Sequence, residues 1–252
     1  MIDASAFVGA WPFRRLPWTE PEALEARLRQ EGIVRALATP LEGLLHLDPQ
    51  PANAHWGERL KEHPFFGFVP LLNPTLRGWE RSLAACQARW GAVAARLTPG
   101  YHGYAADDSA ADEAARAAAD AGLPLIVQLR MQDRRAMHPQ LQFPDADPRA
   151  AAALAQRVPE ATLVLSGCFY GEADALLARS GERPNLYLTT THIEAVDALA
   201  LLAARYGTER LLFGTHAPLF TPTAARLKGE SVALADADRQ RLVAGNATRL
   251  FR

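Results

Sequence analysis

The chain reads as an α/β protein folded as a single-domain TIM-type (β/α)8 barrel, and three observations predict it. Short apolar runs rich in Val, Ile, Leu and Phe recur ahead of Ala-rich amphipathic stretches, which is the alternation of parallel strands and crossover helices. The runs start near Ile2, Ile33, Phe65, Ala92, Pro124, Ala161, Asn185 and Leu211, roughly 24 to 37 residues apart, close to the ~30 residues of one strand-helix-strand unit. A length of 252 residues then accommodates eight units. A doubly wound open sheet fits less well, because no Gly-rich phosphate loop follows the first strand.

The helices between the strands carry their own end signals. Thr19 to Glu31 is closed by Gly32, and Asp108 to Ala121 opens on Asp and Ser before Gly122 and Pro124 end it. Val196 to Tyr206 places Leu, Ala and Val at helical spacing ahead of Gly207, so one face should lie on the barrel wall. A last helix, about Ala235 to Ala244, is expected to cover one end. No composition break or Pro/Ser-rich linker divides the chain, so residues 1–252 are read as one domain.

Composition narrows the function classes. The chain is 49% hydrophobic and 22% charged, with a formal net charge of -1 from interleaved acids and bases. It therefore has no long-range field to gather nucleic acid or an anionic membrane. Its two cysteines, Cys86 and Cys168, build neither a disulfide framework nor a zinc-binding Cys cluster. No basic segment followed by a long apolar run opens the chain, and no window approaches ~18 uninterrupted apolar residues. The expectation is a cytoplasmic protein whose partner is a small molecule, with a homo-oligomer left open.

In barrels of this kind reactive groups project from the C-terminal strand ends and the loops that follow. That rule turns sequence position into a map. The first strand end delivers Ser5, Phe7, Trp11 and Arg14; the second, Thr39, Glu42, His46 and Asp48; the third, Asn73. The fourth delivers Arg96, Tyr101 and His102; the fifth, Gln128, Arg130, Asp133, Arg134 and His138. Cys168 and Tyr170 follow the sixth, Thr190 and His192 the seventh, and His216 the eighth.

Gln128 to Arg135 sets polar and charged groups directly behind the apolar run Pro124 to Val127. A guanidinium there can grip a carboxylate bidentately, with Asp133 to hold it or to take a proton; an Arg–Asp clasp of the loop alone is the other reading. Arg96 lies in an otherwise apolar strand, and an inward charge needs a partner or a ligand. Trp11 to Arg14 either walls the mouth or seals it. Tyr101 and His102 sit in a glycine-bearing aromatic loop that could stack a planar substrate or simply pack. Cys168 could be a nucleophile only with a histidine beside it, and an inert buried thiol is the simpler reading.

Two segments carry a resemblance. Arg210 to Pro218, RLLFGTHAP, is similar to the run LLFGSDAP, and Ile2 to Gly9, IDASAFVG, is similar to the opening strand I-D-x-H-x-H-x-G, both of the amidohydrolase superfamily in its amidohydrolase 2 branch. The closing Gly245 to Phe251 extends the similarity over almost the whole chain. The resemblance implies a barrel whose metal ligands come from strand ends. Carried over position by position, two histidines become Ser5 and Phe7, a fifth-strand histidine becomes Gln128, a sixth-strand histidine falls near Gly167, and the eighth-strand aspartate becomes His216. Phe cannot coordinate and Gly has no side chain, so no metal is expected at the usual place.

The leading expectation is therefore a hydrolase of the amidohydrolase type, possible as a lactonase or a decarboxylase, acting on a small carboxylate-bearing substrate without metal or other cofactor. His216, Asp133 and Arg130 are the catalytic candidates. Arg96, His102, Tyr101, Gln128, His46, Trp11 and Arg14 are the substrate-binding ones. Two alternatives stand beside it: a non-catalytic barrel that binds an anionic ligand, and a Zn or Mn hydrolase with a relocated site built from His46, His102 and His216.

Overall fold

The computed structural model describes residues 1–251. In chain order its elements are β1 (Ile2–Val8), α1 (Pro21–Gln30), β2 (Arg35–Pro40), α2 (Gln50–Leu60), β3 (Phe66–Phe68), β4 (Leu71–Leu72), α3 (Trp79–Trp90), β5 (Ala95–Leu97) and α4 (Pro99–His102). There follow α5 (Ser109–Asp120), β6 (Leu125–Gln128), α6 (Pro148–Arg157), β7 (Leu163–Ser166), α7 (Tyr170–Leu177), β8 (Leu186–Thr189), α8 (Ala198–Tyr206), β9 (Leu211–Leu212), α9 (Pro222–Ser231), α10 (Asp236–Gln240) and α11 (Asn246–Leu250). The strands begin at or within three residues of the positions the apolar runs mark. The expected last helix differs: α10 and α11 are separated by a wide π-helical turn over Arg241–Gly245.

All pairings are parallel, and they form two sheets, β1-β2-β3 and β4-β5-β6-β7-β8-β9. β3 and β4 are one run broken at Val69-Pro70, where proline has no N–H to give a ladder. Backbone bonds carry the run across the break: Val69 N donates to Ala38 O (2.9 Å), Val93 N to Phe68 O (3.0 Å) and Arg96 N to Pro70 O (2.9 Å). At the other seam Ala4 N donates to Phe213 O, His216 N to Ser5 O and Phe7 N to Ala217 O, each 2.8 Å. The first and last strands are thereby joined, and His216 is set where they meet.

The interior is layered. At the base, Ala4, Leu37, Val69, Ala94, Ile126, Val164 and Leu212 pack against Phe251, which the chain end brings up from below. At the mouth, Phe7, Trp11, Leu16, Leu41, Leu44, Leu71, Met131 and Leu219 form a second apolar layer. Between them lies a polar layer, with Asp3, Ser5, Thr39, Arg96, Gln128, Ser166, Thr189 and Thr215 all buried. The outer strand faces are covered by two further clusters, one under α1 and α2 and a larger one under α3 and α5 to α8. Gly214 is needed where β1 and the β8 end converge: a Cβ there would stand 2.8 Å from the Thr191 methyl and 3.2 Å from Ser5 Cβ.

Asp3 staples the closing seam. Its carboxylate accepts from Ser5 N (2.9 Å), Thr215 N (2.9 Å) and Thr215 Oγ1 (2.5 Å). Burial raises its pKa, while those bonds and the Arg96 charge oppose the rise. Asp3→Ala strips the acceptor from all three bonds and leaves two buried N–H groups unpaired. We expect a stability loss of about 2–4 kcal/mol, read as a lower urea midpoint at unchanged m-value.

Candidate active site

Arg96 is the centre of the polar layer. β5 alternates apolar residues with it, so its side chain enters the barrel while Ala95 and Leu97 face the helices. Its Nε donates to Thr39 Oγ1 (3.0 Å), its Nη1 to Gln128 Oε1, and its guanidinium lies 4.7 Å from the Phe7 ring centroid. Gln128 is itself held, donating through Nε2 to Arg130 O (2.7 Å). Among the described residues Nη2 of Arg96 has no partner, although the side chain is wholly buried. Burial lowers its pKa to about 9, partly offset by Asp3, so the group is a cation at neutral pH.

His216 reaches the same space from the end of β9 through a left-handed backbone, φ 60°. That conformation is uncommon for a side chain other than Gly, Asn or Asp, and costs on the order of 1 kcal/mol. It aims the imidazole inward, with ring centroids 5.0 Å from Phe7, 4.9 Å from His192 and 4.8 Å from Phe220. Nε2 donates to Met131 O at 2.7 Å. The proton is thus on Nε2, and Nδ1 keeps a lone pair with no partner. Burial holds the pKa well below the ordinary range, helped by His192 and Arg96.

A chain of hydroxyls connects the layer to His192. Ser5 Oγ lies 3.3 Å from Ser166 Oγ, Thr189 Oγ1 donates to Ser166 Oγ (3.1 Å) and is 3.2 Å from Thr191 Oγ1, and Thr191 Oγ1 is 3.1 Å from His192 Nδ1. The His192 pKa is depressed to about 3, first by burial and then by Arg130 and Lys228. Its Nε2 is also unpartnered.

The other predicted residues divide sharply. Gln128 touches Arg96. Trp11 roofs the mouth, edge-on to Phe13 at 5.2 Å, and Tyr101 stacks on Phe143 at 4.2 Å and 17°. Arg14 donates from the rim to Leu219 O at 2.6 Å. His102 is a loop clasp: Nε2 donates to Gly43 O and Nδ1 accepts from Thr98 Oγ1, both at 3.2 Å, and burial lowers its pKa. His46 is exposed and joins nothing in the polar layer.

Arg130 is no free clamp. Its Nε donates to Asp145 Oδ2 (2.9 Å), its Nη1 and Nη2 to Glu172 Oε2 and Oε1 (2.7 and 2.8 Å), and Nη1 also to Gly167 O. Phe169 lies under it at 4.1 Å. Burial alone would lower its pKa, but the two carboxylates raise it. Asp133 points to solvent and clasps Arg135 (2.7 and 3.0 Å), which pulls its pKa down to about 2. It orients neither Arg96 nor Arg130. Asp145 and Glu172, the carboxylates that do hold Arg130, lie 15 and 42 residues away in sequence, and no spacing signalled them.

The donor set does not fit a zinc or manganese centre. Phe7 presents a ring, Gln128 spends its oxygen on Arg96, Gly167 has no side chain, and Ser5 is bonded to Ser166. The relocated set fails as well, since His46, His102 and His216 stay in the three separate settings above. Among the described residues no group of three His, Cys, Asp or Glu side chains could hold a metal ion. Cys168 is buried, and burial pushes its thiol up to about 12, which leaves no thiolate nucleophile at neutral pH.

The fold is shared with known structures. A 2,6-dihydroxybenzoate decarboxylase from Rhizobium matches at 18% identity and TM-score 0.73, over 100% of this chain and 99% of that one. A dihydroxybenzoic acid decarboxylase from a Polaromonas species, with bound manganese and the inhibitor 2-nitroresorcinol, matches at 18% and 0.75, over 99% and 96%. An uncharacterized TIM-barrel protein from Bordetella bronchiseptica matches at 18% and 0.74, over 99% and 97%. No curated protein matches the sequence. With the closing strands, the layered barrel and a match of residues 49–252 to the amidohydrolase family profile of the amidohydrolase 2 type, this chain belongs to the amidohydrolase family.

Proposed function

We propose that the chain is an enzyme of the hydrolase or decarboxylase type that acts on a small carboxylate-bearing molecule, with Arg96 supplying the positive charge at the reacting centre in place of a metal. The observation that carries this reading is a buried cation with one free N–H edge and a buried neutral histidine with one free lone pair, both packed on the Phe7 ring at 4.7 and 5.0 Å. The dihydroxybenzoate decarboxylases among the structural neighbours make small aromatic carboxylates the first substrates to try.

The geometry supports the following roles. Thr39, Gln128 and Phe7 hold the guanidinium fixed, so it meets developing negative charge on oxygen without reorganising. His216 is turned so that Nδ1 is the proton acceptor, with Met131 O fixing the tautomer. An anion bound between the two would raise the His216 pKa toward the working range.

A second reading, a ligand-binding barrel without turnover, draws on the roof of Trp11, Met131 and Leu219 over the buried pair. Screening lactones, esters and aromatic carboxylates separates the two: ligand-induced stabilisation without product in every case favours the second.

For the enzyme reading, turnover should be equal in chelator and in added Mn²⁺; loss on chelation removes it. Arg96→Met should lower kcat/KM at least ~100-fold, about 2.7 kcal/mol of transition-state stabilisation. Arg96→Lys, which keeps charge but not the fork, should recover part of that if the charge matters. Circular dichroism checks that both variants fold.

The buried histidines also set an acid limit. Folded-state pKa values below the unfolded value mean that the stability is complete above pH ~6.5 and drains as the unfolded chain takes up protons the fold refuses. For His192 the window runs from about 6.5 down to about 3. His192→Gln should flatten the fall of unfolding free energy there by about 1.4 kcal/mol per pH unit, measured by urea titration.

A further inference from the structure

The polar layer is closed over, yet a cavity of about 720 Å³ opens beside it between the β8–α8 loop, α8 and α9. That volume is in the range of small-molecule sites, ~300–1,000 Å³. Its inner wall includes Thr191, Thr215 and Phe220. Thr191 ends the hydroxyl chain, Thr215 binds Asp3, and Phe220 packs on His192 and His216 at 4.9 and 4.8 Å. Phe220 therefore stands against both the cavity and the two buried imidazoles.

The apolar part of the lining comes from Ile193, Leu199 and Val232. Lys228, from α9, supplies a charge. Its Nζ donates to Thr190 O at 2.6 Å, which occupies one of three ammonium donors. Glu194 and Asp197 also line the cavity; both are exposed and neither forms an ion pair with Lys228 among the described residues, and Glu194 acts on it through space. A half-buried ammonium with two donors unspent and apolar walls around it favours an anion that brings its own apolar body.

We infer that this cavity binds a small monocarboxylate with an aromatic or branched apolar body, its carboxylate on Lys228 and its body against Ile193, Leu199 and Phe220. Binding here does not rest on turnover at Arg96 and His216, although the shared Phe220 wall makes the cavity a natural antechamber to them. The ligand would be admitted between α8 and α9 rather than down the barrel axis, which Trp11 and its neighbours cover.

Calorimetric titration of the intact protein with benzoate and with its neutral isostere benzamide tests this. The titration is run below the Lys228 pKa of about 8, where burial has brought it down from 10.5. Benzoate should bind at least about ten-fold more tightly than benzamide. Lys228→Met should erase that preference, and raising the pH through about 8 should weaken benzoate alone. Ala224→Phe, a substitution at an exposed lining position, should weaken both ligands with Lys228 intact, and it decides the matter if Lys228→Met does not fold. Equal affinities, a preference that survives Lys228→Met, unaltered binding in Ala224→Phe, or no binding of either ligand overturns the inference. Because binding is read without product formation, a protein that binds benzoate on Lys228 but turns nothing over would sink the enzyme reading and leave this one standing.

Discussion

A guanidinium buried without a paired carboxylate is the constraint around which the rest of this barrel is arranged. Arg96 has to be solvated by protein, and the interior supplies a hydroxyl from Thr39, an amide oxygen from Gln128 and the face of Phe7. The negative counterpart, Asp3, is committed to the β1–β9 seam and acts on Arg96 through space. A buried charge so held is costly to create and is rarely retained without a use. The apolar layers above and below keep the dielectric low, which strengthens whatever the cation does to a bound anion.

The second organising feature is the way spent charges are separated from available ones. Arg130, equally buried, is neutralised by Asp145 and Glu172 and locks the β6 and β7 loops together. His102 ties α4 to the β2 loop through Gly43. By contrast Arg96, His192 and His216 each keep one polar atom without a partner among the described residues, with Phe7 against both Arg96 and His216 and the two imidazoles 4.9 Å apart. Buried groups left in that state normally have water or ligand as their partners. Lys228 adds a second cation, in a cavity that shares the Phe220 wall and opens between α8 and α9.

Much of the candidate site was visible as a set of positions. Arg96 stood out as a charge in an apolar strand, and His216 as an exchange in a recognisable segment, because both departures break a local pattern. What could not be read was pairing. Arg130 and Asp133 share a loop, yet Arg130 turns inward to carboxylates of other loops, while Asp133 turns outward to Arg135 two residues away. A carboxylate two positions from a guanidinium closes its own small clasp more readily than it reaches across a barrel mouth. His192 was on the map as a strand-end residue, but its contact with His216 depends on the twist of two loops.

The sequence by itself determined the strand-helix alternation, the barrel class, the family and the absence of imidazole and carboxylate ligands at Ser5, Phe7, Gln128 and Gly167. These are properties of residue type and order, and period-2 and period-3.6 patterns report them locally. Tertiary structure alone decided which charges are satisfied, that His216 presents Nδ1 to the interior and that a cavity walled by Phe220 lies off the barrel axis. Those outcomes depend on side chains from strands far apart in sequence converging within hydrogen-bond distance. No local pattern encodes that convergence, because the closing of the ring sets it.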